Sequence, residues 1–387
     1  MGRAGARRFR QSPTAAREAD RPNGAGDAII GPVFEGLGGE SSAAAPTVRS
    51  RRIATPRRWL VIALSAAVIA SLIVAVNLVA RPPAAAIPRL PTLGPGQDVF
   101  DGDIGDPFVL PVPAGPAQPG GYWVFGTNDR PAHVPTGFSS DLIHWQRGPD
   151  ALPTLPRWAL PDPRGSLVWA PAVLSTPTGY IMYVTVPDAA TGRECVAAEA
   201  SPSPGGPYHD TSAGPLVCQA SLGGSIDPMI IRDGRRLRLL WKNDGNCCGL
   251  AVSLWEQELA PDGLRLVGQP QRLLGADQAW EAGVIERPVA IPAAHGGWWL
   301  FHAGNNWQLA AYATGLAYCP TLTGPCRDAT PGPFLATQAN QYSPGGFNAF
   351  TDLHGARWVV YAIWNRPPRG GRFYCCRSVE LAQLATA

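Results

Sequence analysis

Three acids, Asp106, Asp227 and Glu286, each stand one or two residues before a proline, in Gly105-Asp-Pro107, Ile226-Asp-Pro228 and Glu286-Arg-Pro288. Such a set can divide the labour of hydrolysing a glycosidic bond. One carboxylate activates water, and another, kept protonated, donates to the leaving oxygen. A third raises the acid's pKa by like-charge repulsion and orients it. Taken singly, Asp-Pro and Glu-Pro mark turns or strand starts, and Asp162-Pro163 reads that way. The matched phase of the three is what points to one site. Glu281 is the rival acid, and it reads as a supporting or entrance residue.

That phase comes from a degenerate repeat over residues 98–387. Aromatic strand cores recur as Tyr122-Trp-Val-Phe125, Tyr180-Ile-Met-Tyr183, Leu239-Leu-Trp241, Trp298-Trp-Leu-Phe301 and Trp358-Val-Val-Tyr361. Their last aromatics stand 58, 58, 60 and 60 residues apart. A short motif precedes each core: Gly105-Asp-Pro107, Trp169-Ala-Pro171, Ile226-Asp-Pro228, Glu286-Arg-Pro288 and Pro344-Gly-Gly-Phe-Asn348. Five repeats of several strands predict an all-β, five-bladed β-propeller. A propeller turns equivalent positions of its blades toward one axis, so acids far apart in sequence converge.

The domain resembles glycoside hydrolase family 43. The resemblance rests on GDPFVL…GGYWVFGT (105–127), SSDLIHW (139–145), WAPAV (169–173), SIDPMIIRDG (225–234), LLWKNDGN (239–246), WEAGVIERP (280–288) and AYATGLAYCPTLTGPC (311–326). It implies a five-bladed propeller and an inverting mechanism. Motif by motif, it implies Asp106 as general base, Asp227 as pKa modulator and Glu286 as general acid. It also implies that Trp169 packs an aromatic face against the cleaved sugar. The implied substrates are arabinofuranosides, xylosides, and arabinan or arabinoxylan chains. Many relatives carry a fifth-repeat His near an axial metal or water. Here that segment is Ser343-Pro-Gly-Gly-Phe347, with Gly346 in the place of the His. No metal ligand is therefore assigned, no cofactor is expected to be required, and axial calcium is in doubt. Arg287 stands where relatives often have a small residue. A non-catalytic carbohydrate-binding propeller is the competing reading.

Other polar residues flank the aromatic strands. Lys242, Asn243 and Asn246 offer sugar hydrogen bonds or simple turn formation, and His302, Asn305 and Asn306 border the pocket or cap a surface loop.

Composition agrees with many short strands. Gly (44) and Pro (41) exceed a fifth of the 387 residues, which leaves little room for long helices. Lys242 is the sole lysine, and 11 arginines fall within residues 1–58. The rest of the chain is not basic, so no nucleic-acid partner is expected.

Residues 1–58 read as a disordered cytoplasmic tail. Residues 59–80 are an uncharged apolar run that spans roughly 33 Å as a helix, enough for a bilayer core. Positive charge on its N-terminal side predicts a single-pass membrane anchor with the C-terminal domain extracytoplasmic. Residues 81–97 form a Pro-rich linker. All eight cysteines lie after residue 190, which fits disulfides in an oxidising compartment. Cys195–Cys218 and Cys319–Cys326 are the expected local pairs. The vicinal pairs Cys247-Cys248 and Cys375-Cys376 are candidates for cross-linking to each other.

Overall fold

Short β-branched and aromatic runs cut by Gly and Pro favour strands. The computed structural model describes residues 86–386 except 102, 116–117, 130–131, 163–164 and 374–375. The expected tail and apolar run, 1–80, lie outside the described residues. Among the described residues no helix is long and apolar enough to cross a membrane. Only strands and the 3-10 turns Ala220–Leu222, Gly245–Cys248 and Ala279–Glu281 occur among them.

The strands form five antiparallel sheets in chain order, a five-bladed propeller. Blade one comprises Gly105–Val112, Gly121–Thr127, Thr136–Ser139 and Trp145–Arg147. Blade two comprises Trp169–Thr176, Gly179–Pro187, Glu194–Ser201 and His209–Asp210. Blade three comprises Ser225–Asp233, Arg236–Asn243, Ser253–Leu259 and Leu266–Gly275. Blade four comprises Ile285–Pro292, Trp298–Gly304, Ala313–Cys319 and Arg327–Asp328. Blade five comprises Tyr342–Thr351, Arg357–Trp364 and Arg377–Ala385. Its outer edge is drawn from the other end of the chain, where Thr92–Leu93 and Gln97–Asp101 pair with Arg377–Ala385. The Pro-rich stretch before residue 98 thus contributes ladder pairs, with Pro91 and Pro95 flanking them.

Each motif strand is the first of its blade, and each aromatic core lies on the second. First strands touch in sequence around the ring, and the fifth returns to the first. The aromatic ends Phe125, Tyr183, Trp241, Phe301 and Tyr361 are at most 3 % exposed, so they fill the space between blades.

The first strands share an irregularity. Asp106, Ala170, Asp227, Arg287 and Ser343 all have positive φ, between 50° and 58°. Each sits at a register shift against the second strand, and each is followed by proline. A bulge removes a residue from the ladder, so the missing proline N–H leaves no gap there. A left-handed non-glycine residue costs roughly 1–2 kcal/mol. Five such residues around one axis mark where the fold holds strain in place.

Cys195–Cys218 and Cys319–Cys326 are bonded as expected. The vicinal cysteines differ from expectation, because Cys247 bonds Cys248 itself. Cys376 is also disulfide-bonded. Residues 247–248 belong to blade three and 376 to blade five, which are not neighbours around the ring, so a bond between them would have to cross it.

Candidate active site

The bulges set the phase of the site. Glu286 lies one residue before its bulge, so it shares the register of Trp169 in blade two rather than that of Asp106 and Asp227. Arg287 occupies the position of the two aspartates. A bulge also frees a backbone N–H that needs an acceptor. Ala170 N donates to Thr127 Oγ1 (2.9 Å), Asp227 N to Thr185 Oγ1 (3.1 Å), and Ser343 N to Thr337 Oγ1 (2.9 Å). Arg287 N donates to the Asp227 carboxylate, at Oδ2 (3.1 Å). Asp227 thereby ties blade three to blade four.

Asp106, Asp227, Glu286 and Trp169 all line one cavity of ≈ 780 Å³. The side chains of Asp106 and Glu286 are 21 % and 16 % exposed, open to the cavity, whereas Asp227 is 6 % exposed and lies deeper. Thr127 Oγ1 donates to Asp106 Oδ2 at 2.5 Å. Lys242 Nζ donates to Glu286 Oε2 (3.0 Å) and Tyr312 OH to Oε1 (2.8 Å), which fixes the carboxyl at both oxygens. Trp169 Nε1 donates to Ser166 O (3.0 Å), leaving the ring beside the cavity.

Burial first, and Glu286 second, push the Asp227 carboxyl up to about 7, against the pull of Lys242. Burial alone would lower the Lys242 ammonium, but Glu286, Asp227 and Asp244 outweigh it and raise it. Burial, then Glu286, holds the Tyr312 phenol well above its usual range. Tyr312 and Lys242 therefore stay protonated donors to Glu286 near neutral pH.

The other candidates divide. Asn246 lines the cavity. Asn243 is 1 % exposed and structural: its amide donates to Leu222 O and Ala251 O while its Oδ1 accepts from Ser253 N and Trp255 Nε1. His302 is fully buried against Glu281 (Nε2–Oε1 2.9 Å) and does not border the cavity. Asn305 donates to Trp280 O. Glu281 is no entrance residue. It is 0 % exposed, and its Oε2 accepts from Asp277 N and Gln278 N to cap the turn Ala279–Glu281. Asp162 closes a turn as expected, accepting from Ser166 N and Leu167 N.

Several lining residues carry no distinct signal in the sequence. Tyr312 opens the segment AYATGLAYC but has no repeat partner to mark it. Trp307 and Trp364 stack at the rim (5.9 Å, 14°), and the Arg377 guanidinium lies over both rings.

An axial calcium does not fit these residues. Gly346 abuts Asp106: a Cβ there would meet Asp106 Oδ1 at 2.9 Å and Cα at 3.0 Å, at φ +69°. No side chain can reach inward from that point. The Arg287 guanidinium, itself a cation, lies against Asp106 instead.

The family model for glycosyl hydrolases family 43 matches residues 99–385. The chain belongs to that family. This glycoside hydrolase is also similar to solved structures. A thermostable family-43 glycoside hydrolase is 23 % identical, with 74 % of this chain and 91 % of that chain covered and a TM-score of 0.62. An α-L-arabinofuranosidase from Lactobacillus brevis is 16 % identical, with 72 % and 90 % covered and a TM-score of 0.56. An endo-arabinase from Bacteroides thetaiotaomicron VPI-5482 is 19 % identical, with 71 % and 98 % covered and a TM-score of 0.56. A search of curated proteins found no match. The family-43 hydrolase shares its propeller with these structures.

Proposed function

We propose that the protein is an inverting hydrolase of arabinofuranosyl or xylosyl linkages in polysaccharide or cell-wall glycan. Asp106 is the general base, Glu286 the general acid, Asp227 the modulator that orients and tunes Glu286, and Trp169 a platform for the cleaved sugar. The observation that carries this reading is the division of environments among three carboxyls in one cavity. Asp106 is held by a hydroxyl and a guanidinium at the cavity wall, which orients its carboxyl toward a water. Asp227, buried and facing Glu286, is pushed up to about 7. Asp227 thus holds its proton near neutral pH beside Glu286, the group placed to protonate the leaving oxygen.

The steps follow from these positions. The base takes a proton from water as that water attacks the anomeric carbon from the face opposite the leaving group. Glu286 gives its proton to the departing oxygen, and configuration inverts. Lys242 and Tyr312, bonded to the two oxygens of Glu286, hold its orientation throughout.

Sugar preference follows from relatives only by analogy, the similar structures being an arabinofuranosidase and an endo-arabinase. Calcium is not required in this reading. The apolar run 59–80 and the bonded cysteines support a single-pass anchor with the hydrolase domain outside the cell. Protease accessibility of the domain on intact cells tests that placement.

A panel of aryl glycosides, arabinan and arabinoxylan, with product anomers followed by NMR, tests the chemistry. Glu286→Gln and Asp106→Asn are expected to lose about 10²–10⁴-fold in kcat while folding normally. Glu281→Gln is expected to affect stability more than turnover. A product of retained configuration overturns the mechanism, and a dead Glu281→Gln beside an active Glu286→Gln overturns the assignment.

A further inference from the structure

Arg287 combines features that surface arginines do not have. It is 1 % exposed. Its backbone sits at the blade-four bulge with φ 52°. Its Nη2 donates to the backbone carbonyl of Asp106 (3.1 Å), and its Nε lies 3.7 Å from Asp106 Oδ1. Blades four and one are not adjacent around the five-membered ring, so the side chain has to cross the middle to make these contacts. Among the described residues, Nε and Nη1 find no hydrogen-bonding acceptor.

A buried guanidinium is costly to desolvate, and it persists only where negative charge compensates. Asp106, in direct contact, supplies that charge, and Asp227 lies beside it on the axis, with Lys242 the only ammonium nearby. The contacts are selective. Arg287 reaches Asp106 through both its carbonyl and its carboxylate, and receives support from Asp227 through its own N–H. It therefore fixes the backbone and the side chain of one residue at once. Lysine, a point charge with no planar fork, cannot reproduce both contacts.

We propose that Arg287 is a built-in axial cation of this propeller, a positioning residue that holds Asp106 in place of an exchangeable metal ion. Gly346 complements it by leaving the other flank of Asp106 free of a side chain. The consequence for catalysis rests on Asp106 being the base, as proposed above. The claim about the metal does not.

The full-length protein, stripped with EDTA, is measured for calcium content and thermal unfolding with and without millimolar CaCl2. No stoichiometric calcium and an unchanged unfolding midpoint are expected. On the glycoside that the wild type cleaves fastest, Arg287→Met is expected to lose about 100-fold in kcat with little change in KM, because a displaced base weakens the transition state more than the bound state. Arg287→Lys is expected to recover about a tenth of wild-type kcat, since it restores the charge but not the fork. Should Arg287→Met fail to fold, the Lys variant carries the kinetic arm by the same kcat-against-KM split. One equivalent of calcium that stabilises the wild type overturns the proposal, as does wild-type kcat in Arg287→Met. If the wild type cleaves nothing on the panel, the functional reading fails on its own, and the calcium and unfolding measurements still decide the axial cation.

Discussion

Lys242 is the one lysine of the chain, and it is 1 % exposed. Its ammonium bonds Glu286 and pulls the Asp227 titration downward. Removing that charge should therefore make the Asp227 proton harder to lose. In Lys242→Met the alkaline limb of the kcat–pH profile, near 7 in the wild type from the Asp227 position, is expected to move upward by about one unit. A kcat reduced at least tenfold is expected as well, because Glu286 loses one of the two donors that orient it. A limb that moves downward would show that the titrating proton belongs elsewhere. The convergence of Asp106, Asp227 and Glu286 on one cavity was legible in the sequence because each stands one or two residues before a proline in its repeat. Lys242 was visible only as a polar residue offering sugar hydrogen bonds or turn formation, and Tyr312 only as part of the segment 311–326. Their roles come from the approach of one blade to the next, which no local pattern encodes. The one-residue offset of Glu286 was equally hidden, since only the bulge shows that Arg287, and not Glu286, is the partner of the aspartates.

At the scale of the strand, the second strands announced themselves through their aromatics and the first through X-Pro. The outermost strands did not, because Trp145–Arg147, His209–Asp210 and Arg327–Asp328 are two or three residues long and largely polar. One such edge bears an electrostatic strain. Asp210 pairs with Glu199 across the ladder of blade two. Glu199 is 1 % exposed, and among the described residues neither carboxylate oxygen has a hydrogen-bond partner. Burial, then Asp210, pushes its carboxyl from 4.5 up to about 8. The unfolded chain gives up that proton first as pH rises, so the folded state loses stability from about 4.5 upward, and the loss is complete above about 8. The penalty is on the order of a few kcal/mol. Glu199→Gln should remove it. The variant is expected to unfold at a clearly higher temperature than the wild type at pH 8.5 and at nearly the same temperature at pH 4.5. Equal differences at both values would show that Glu199 does not carry the charge penalty.

For the molecule as a whole, the ring is closed by its own ends. Thr92–Leu93 and Gln97–Asp101 complete the sheet that ends in Arg377–Ala385. Phe100, 6 % exposed, packs with Val360, Val379 and Leu381 at this seam. Phe100→Ala is expected to cost about 3–5 kcal/mol in chemical denaturation. The loss should exceed that of an exposed apolar residue such as Leu353→Ala, which is 39 % exposed. Equal small losses would mean that the seam contributes little to holding the ring shut. The seam also sets an order in time. A ribosome releases Asp106 early and Arg377 late, yet the cavity takes walls from both. Until the fifth blade has emerged, the inner strand of the first lacks one lateral neighbour. The cavity is thus complete only once the fifth blade has closed against the first.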